Sequence, residues 1–298
     1  MAEGAAATCA ITLHLGAHKT ATTWVQSRLA DSAPYLAELG VACQPLARFR
    51  EQFTRKLQAR PVPPETAAAN LKQARGVLAG FLAAAPGRFI ASDENLIGNC
   101  QEIIRTGQLY PRLPTRMRVL GRTRLGMADR VVLTIRAYAS FFPSVYGEAM
   151  RWGDFVPFEV VRDRLQLDSG LWLDVIRQLL DVFGPERLRV MRFEQMPDRL
   201  ADFLSVLCDA PVDPDRLAPS DERREGLSAR AIELLEEVAR TDGARRPRQV
   251  IDQAAQIFPR DAHRPAFMPW TAAEATQLDE LYLAHCQRIM KDWPGVMI

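Results

Sequence analysis

Residues 131–135, Val131-Val132-Leu133-Thr134-Ile135, are apolar at nearly every position. A strand with one wet face alternates apolar and polar residues, whereas a strand buried on both faces does not, and strands of the second kind belong to parallel sheets. Short runs rich in β-branched residues recur at 10–15, 40–43, 88–92 and 187–192, with helical patterns between them. Behind Thr66, read as an N-cap, Leu71, Ala74, Val77, Leu78, Phe81 and Leu82 recur at helical spacing. Residues 172–183 and 200–207 read as helices too. Thr271-Ala-Ala-Glu274 fits a capping box opening a last helix, with Leu278, Leu281, Tyr282 and Ile289 on one face. Such alternation predicts an α/β fold, a parallel central sheet with helices on both faces, and ligands at the carboxyl ends of its strands.

Three strand ends carry candidate chemistry. The first run leads into Gly16-Ala17-His18-Lys19-Thr20-Ala21-Thr22-Thr23-Trp24 and then a helical pattern. A tight turn at a helix N-terminus presents open N–H groups that suit an anion, and Lys19 and three threonine hydroxyls add to them. An ordinary capped helix, with Thr22 or Thr23 as cap, is the plainer alternative. The fourth run leads to Arg136, with Ser144 eight residues on in the next helix; Arg offers a planar fork of donors to a phosphate. The third leads to Asp93-Glu94, which reads as acids capping a helix or as the metal-binding acid pair of an ATPase.

The first segment departs from the nucleotide P-loop G-x-x-x-x-G-K-[ST], because no glycine directly precedes Lys19. It resembles instead the 5′-phosphosulfate loop of sulfotransferases that use 3′-phosphoadenosine-5′-phosphosulfate (PAPS), whose bacterial members open it with G-x-H-K-T. Ala21 stands where that family usually has glycine. Arg136 and Ser144 match the family's 3′-phosphate motif in spacing and context. Ser92-Asp93-Glu94-Asn95-Leu96 resembles its S-x-E-x-L. Arg223 and Arg224 fall where the family places a basic loop over the 3′-phosphate, without the fuller R-K-G-x-x-G. Phe193-Glu194 stands for the family's Tyr-Glu pair.

The resemblance implies a sulfotransferase of P-loop-like fold. His18, Lys19, Thr20, Ala21, Thr22, Thr23 and Trp24 would hold the phosphosulfate end, with Trp24 on the adenine. Arg136, Ser144, Arg223 and Arg224 would hold the 3′-phosphate. Lys19 would stabilise the leaving 3′,5′-ADP, and Glu94 would be the base, with Asp93 and His18 as alternatives for that role and loop ordering as a second role for His18. No metal is expected, since Lys and Arg supply the charge. A P-loop kinase or NTPase using Lys19 and an Asp93-bound Mg²⁺ is the rival reading, and a decayed, non-catalytic binder the second.

Over 298 residues the formal net charge is +2, which does not point to a general nucleic-acid or membrane binder. No apolar run approaches the roughly 18–20 residues a membrane span needs. Five scattered cysteines without a CxxC read as reduced thiols of a cytoplasmic protein. With no tract dividing it, the chain reads as one domain over 1–298, with 44–85 an insertion on the acceptor side and 228–298 C-terminal helices. The acceptor, a small molecule, peptide tyrosine, glycan or lipid, is not identified by the sequence, nor is any homo-oligomeric state. Segment 112–130, with six Arg against one Asp, reads as a solvated helix face or as a lure for an anionic glycan.

Overall fold

The computed structural model describes residues 9–57, 62–221 and 226–298. β1 (Ala10–His14) leads through α1 (Thr22–Asp31) and α2 (Ala33–Glu38) to β2 (Val41–Cys43). Then come α3 (Leu46–Phe49), a π-helical turn (Arg50–Thr54), α4 (Arg55–Leu57), α5 (Pro64–Ala84) and β3 (Arg88–Ser92). A 3₁₀ turn (Glu94–Leu96), α6 (Cys100–Thr106) and α7 (Leu113–Leu120) reach β4 (Arg130–Ile135), and α8 (Tyr138–Ala149), α9 (Phe158–Arg162) and α10 (Trp172–Phe183) reach β5 (Leu188–Arg192). α11 (Leu200–Cys208), α12 (Ala229–Asp242), α13 (Pro247–Ile257) and α14 (Ala272–Asp292) complete the chain.

All five strands are parallel, in the order β2-β3-β1-β4-β5. Alternate strand residues feed two cores. Phe89, Ala91, Val131, Leu133, Leu188 and Val190 pack with α5, α8, α10 and α14, whereas Ile90, Val132 and Met191 pack with α1 and α11. Because α1 leaves β1 over one face and α8 leaves β4 over the other, the crevice between the carboxyl ends of β1 and β4 is a topological switch point, where ligands of such sheets bind. The opposite ends of the strands are tied by Asp209, which pairs with Arg88 at the start of β3 and, at 2.7 Å, with Arg130 at the start of β4.

Two expected caps are corrected. α5 begins at Pro64, behind Pro63, and Thr66 lies inside its first turn; proline is pre-set for the first helical position, where its missing N–H costs nothing. α1 is capped by neither Thr22 nor Thr23: Ala21 takes the cap position in the left-handed region, with no side-chain cap. The capping box of α14 is present at Thr271 and Glu274. Segment 44–85 is the crossover from β2 to β3. Of the six arginines in 112–130, Arg112 and Arg116 pair with Glu102, and Arg130 with Asp209, so half of that basic stretch is paired with acids of this chain. No helix among the described residues is long and apolar enough to cross a membrane.

Candidate active site

The turn after β1 is shaped by three left-handed residues: Gly16 at φ 42°, Lys19 at φ 63° and Ala21 at φ 58°. At Gly16 a Cβ would come within 2.8 Å of Thr22 Oγ1, so only glycine fits there. Thr20 and Thr22 turn inward, their hydroxyls donating to Ala17 O at 2.6 and 3.2 Å. Those bonds tighten the turn and leave Val25 N–H as the first to bond inside α1, to Ala21 O at 3.1 Å. With no side chain capping them, the N–H groups ahead of it form the positive end of the helix.

This turn walls a cavity of about 580 Å³ at the switch point, lined among others by His18, Lys19, Ala21, Thr22, Thr23, Trp24, Glu94, Arg136 and Ser144. The strand-end residues proposed from sequence meet there except Thr20, which is buried, Asp93, and Arg223 and Arg224, which lie outside the described residues. Asp93 is fully buried and is not part of the lining.

Arg136 is held at the end of β4 from several sides. Its Nη1 donates to Lys19 O at 2.7 Å and its Nε to Ser140 Oγ at 2.9 Å, with the guanidinium 4.9 Å from the centre of the Phe193 ring. The Trp172 indole donates to Arg136 O at 2.9 Å, and Glu194 accepts from Ala137 N–H at 2.8 Å, fixing the start of α8. Pro143 lies inside that helix, just before Ser144. The Ala139 carbonyl that thereby lacks its helical partner accepts instead from the Trp270 indole, at 2.9 Å. Ser144, on the same helix, lines the cavity with Arg136.

On the far side of Lys19 lies Glu94, opening the 3₁₀ turn after β3. Arg50, from the π-helical turn, grips both acids. Its Nη2 is 2.7 Å from Asp93 Oδ1 and 2.9 Å from Glu94 Oε1, and its Nε is 3.1 Å from Asp93 Oδ2. Gln26 bridges from α1 to Ser92 Oγ at 3.0 Å and Glu94 Oε2 at 3.3 Å, and His14 Nδ1 lies 2.8 Å from the same Ser92 oxygen. Burial works to raise the Glu94 carboxyl, but His18 and Arg50 outweigh it and hold the group below the usual carboxylate value. Burial also lowers the pKa of His18, against the opposing pull of Glu94. Asp93 is raised by its complete burial, against the pull of Arg50.

His18 is engaged at both ring nitrogens, with Nδ1 3.2 Å from Tyr110 Oη and Nε2 3.2 Å from the Asn95 amide. With that amide turned so that its NH₂ donates to Nε2, its oxygen accepts from Arg50 at 3.0 Å, which places the ring proton on Nδ1. Tyr110 also accepts from His18 N–H at 3.0 Å. These bonds give His18 the ordering of the turn. Lys19 Nζ is 3.4 Å from Glu148 Oε2; burial lowers its pKa and Glu148 opposes that shift.

Trp24 has Arg28 stacked on it at 4.9 Å, and Arg28 is itself anchored on the carbonyls of Pro214 and Ala218 at 2.6 and 3.1 Å. Phe193, Met196, Pro197 and Leu200 give that end of the cavity an apolar wall. Sequence reasoning missed Arg50, Gln26, Glu148 and Arg28. Gln26 alone left a signal, a polar residue on the buried stripe of α1 with Thr22, Val25 and Leu29.

No family model matches the chain, and no curated protein matches it. Among solved structures it is similar to a sulfotransferase from Alicyclobacillus acidocaldarius, with 16% identity and a TM-score of 0.39 over 85% of this chain and 96% of that one. It is also similar to the sulfotransferase domain from the curacin biosynthetic pathway, with 13% identity and a TM-score of 0.42 over 92% of this chain and 98% of that one.

Proposed function

We propose that the protein transfers the sulfuryl group of PAPS to a hydroxyl or amine acceptor. One observation carries the reading: the uncapped, left-handed turn at Lys19, the Arg136–Ser144 strand end and the ionised Glu94 line a single cavity at the switch point. The cavity's features divide as such a donor would require. Trp24, braced by Arg28, offers a flat face to a purine beside the apolar wall. The N–H groups opening α1, with Lys19, receive the phosphosulfate. Arg136, with its Nη2 unengaged among the described residues, and Ser144 receive the 3′-phosphate.

In the reaction, Glu94 takes the acceptor's proton as its oxygen or nitrogen attacks sulfur. The bond from sulfur to the 5′-phosphate oxygen breaks, and that oxygen leaves carrying the electron pair. Lys19 stabilises the charge developing on it. Like phosphoryl transfer, the step asks for alignment and charge stabilisation rather than covalent work by the protein. The segment 44–85 supplies Arg50 and so forms part of the acceptor side of a single catalytic unit.

The kinase reading asks Asp93 to hold a metal at the nucleotide. Both its oxygens are engaged by Arg50, and it does not reach the cavity. Calorimetric titration decides between the two. Wild type is expected to bind 3′,5′-ADP at least about tenfold more tightly than ATP with Mg²⁺, a difference of about 1.4 kcal/mol, and Arg136→Ala to erase that preference. Tighter binding of ATP–Mg²⁺ would reject the donor assignment.

A further inference from the structure

Arg136 is not the only guanidinium lining the cavity. Arg260, in the segment between α13 and α14, also lines it, close to Gly226, where a Cβ would stand 3.5 Å from Arg260 Nη1. Arg260 makes no hydrogen bond or ion pair among the described residues. The two cations are near enough to feel each other. Burial lowers the pKa of Arg136, Glu194 opposes that, and the charge on Arg260 adds to the lowering. Glu194 is already engaged with Ala137 N–H and, at 3.0 Å, the Tyr282 hydroxyl. A protein gains nothing in stability by placing a second like charge in the same cavity as a half-buried arginine. The arrangement becomes favourable when an anion enters between them.

We propose that Arg260 is a specificity-determining residue that binds the 3′-phosphate opposite Arg136. The inference rests on the donor reading above and extends it, because it makes the C-terminal helical region part of the nucleotide site. A dianion there accepts from both forks at once, whereas a nucleotide lacking that phosphate leaves the two cations of one cavity uncompensated. Arg260 is exposed on the surface of the free protein, so its replacement tests binding without disturbing the core.

The experiment is titration of the full chain with 3′,5′-ADP and, separately, with 5′-AMP, for wild type, Arg260→Ala, Arg260→Lys and Arg136→Ala. Arg260→Ala is expected to weaken 3′,5′-ADP about tenfold and 5′-AMP by under about twofold. Lysine should restore part of the loss, keeping the charge without the fork. Equal weakening of both nucleotides, or unchanged binding of 3′,5′-ADP, overturns the role of Arg260. A wild-type preference for 3′,5′-ADP that Arg136→Ala abolishes and Arg260→Ala keeps removes Arg260 alone. Absence of any wild-type preference, with no effect of Arg136→Ala, removes the donor reading with it.

Discussion

Ala21 sits at φ 58° and ψ 21°, where an L-residue pays about 1 kcal/mol that glycine does not. From the sequence, alanine at this point looked like a small departure from the phosphosulfate loop; the geometry shows what it costs. Ala21→Gly is expected to stabilise the protein by up to about 1 kcal/mol, reduced by the greater freedom glycine has in the unfolded chain. Ala21→Val is expected to destabilise it by more than that, since a β-branched side chain fits this region worst. Urea denaturation of the three proteins measures both effects, and a valine variant as stable as wild type would refute the strain. The residue types that carry chemistry could be read because each follows a strand directly. Their partners could not: Arg50 precedes Glu94 by a crossover of more than forty residues, and no local pattern links the two.

At the scale of elements, strands and long helices were readable from periodicity alone, and β3 and β4 lie where their apolar runs placed them. The short elements were not. The π-helical turn at Arg50 has no periodic signature, yet it carries a guanidinium that, after His18, helps hold Glu94 below its usual value; such turns recur at functional sites. Removing that guanidinium by Arg50→Met should raise the pKa of Glu94, and Arg50→Lys should restore part of the depression. The sign follows from charge: a lost cation favours the protonated acid. Because Glu94 lies below its unfolded value in the folded protein, it contributes stability above the unfolded carboxyl pKa, and that contribution is lost as pH falls through the folded value. Carbon-13 NMR titration of the glutamate carboxyls, assigned with Glu94→Gln, follows the shift without needing an acceptor. A titration unchanged in Arg50→Met would rule out this role.

For the whole molecule, the parallel sheet and its two covering layers follow from a nearly apolar central strand, Val131–Ile135, and the alternation of strands with helices. The strand order does not, because nothing local says that β3 returns between β2 and β1. That order puts the turn at Lys19 and the strand end at Arg136 side by side. At the outer edge of β5 the chain pairs with itself: Val190 donates to Val296 O at 2.8 Å and accepts from Ile298 N–H at 3.0 Å. An uncovered edge is a template for another chain. Deleting residues 296–298 is therefore expected to give concentration-dependent association by light scattering, and a variant that stays monodisperse would contradict that. The same pairing has a consequence in time. During synthesis, β5 is finished about a hundred residues before the segment that shields it, as the numbering shows. Throughout that interval the emerging chain carries an open edge of the kind that templates pairing with another chain.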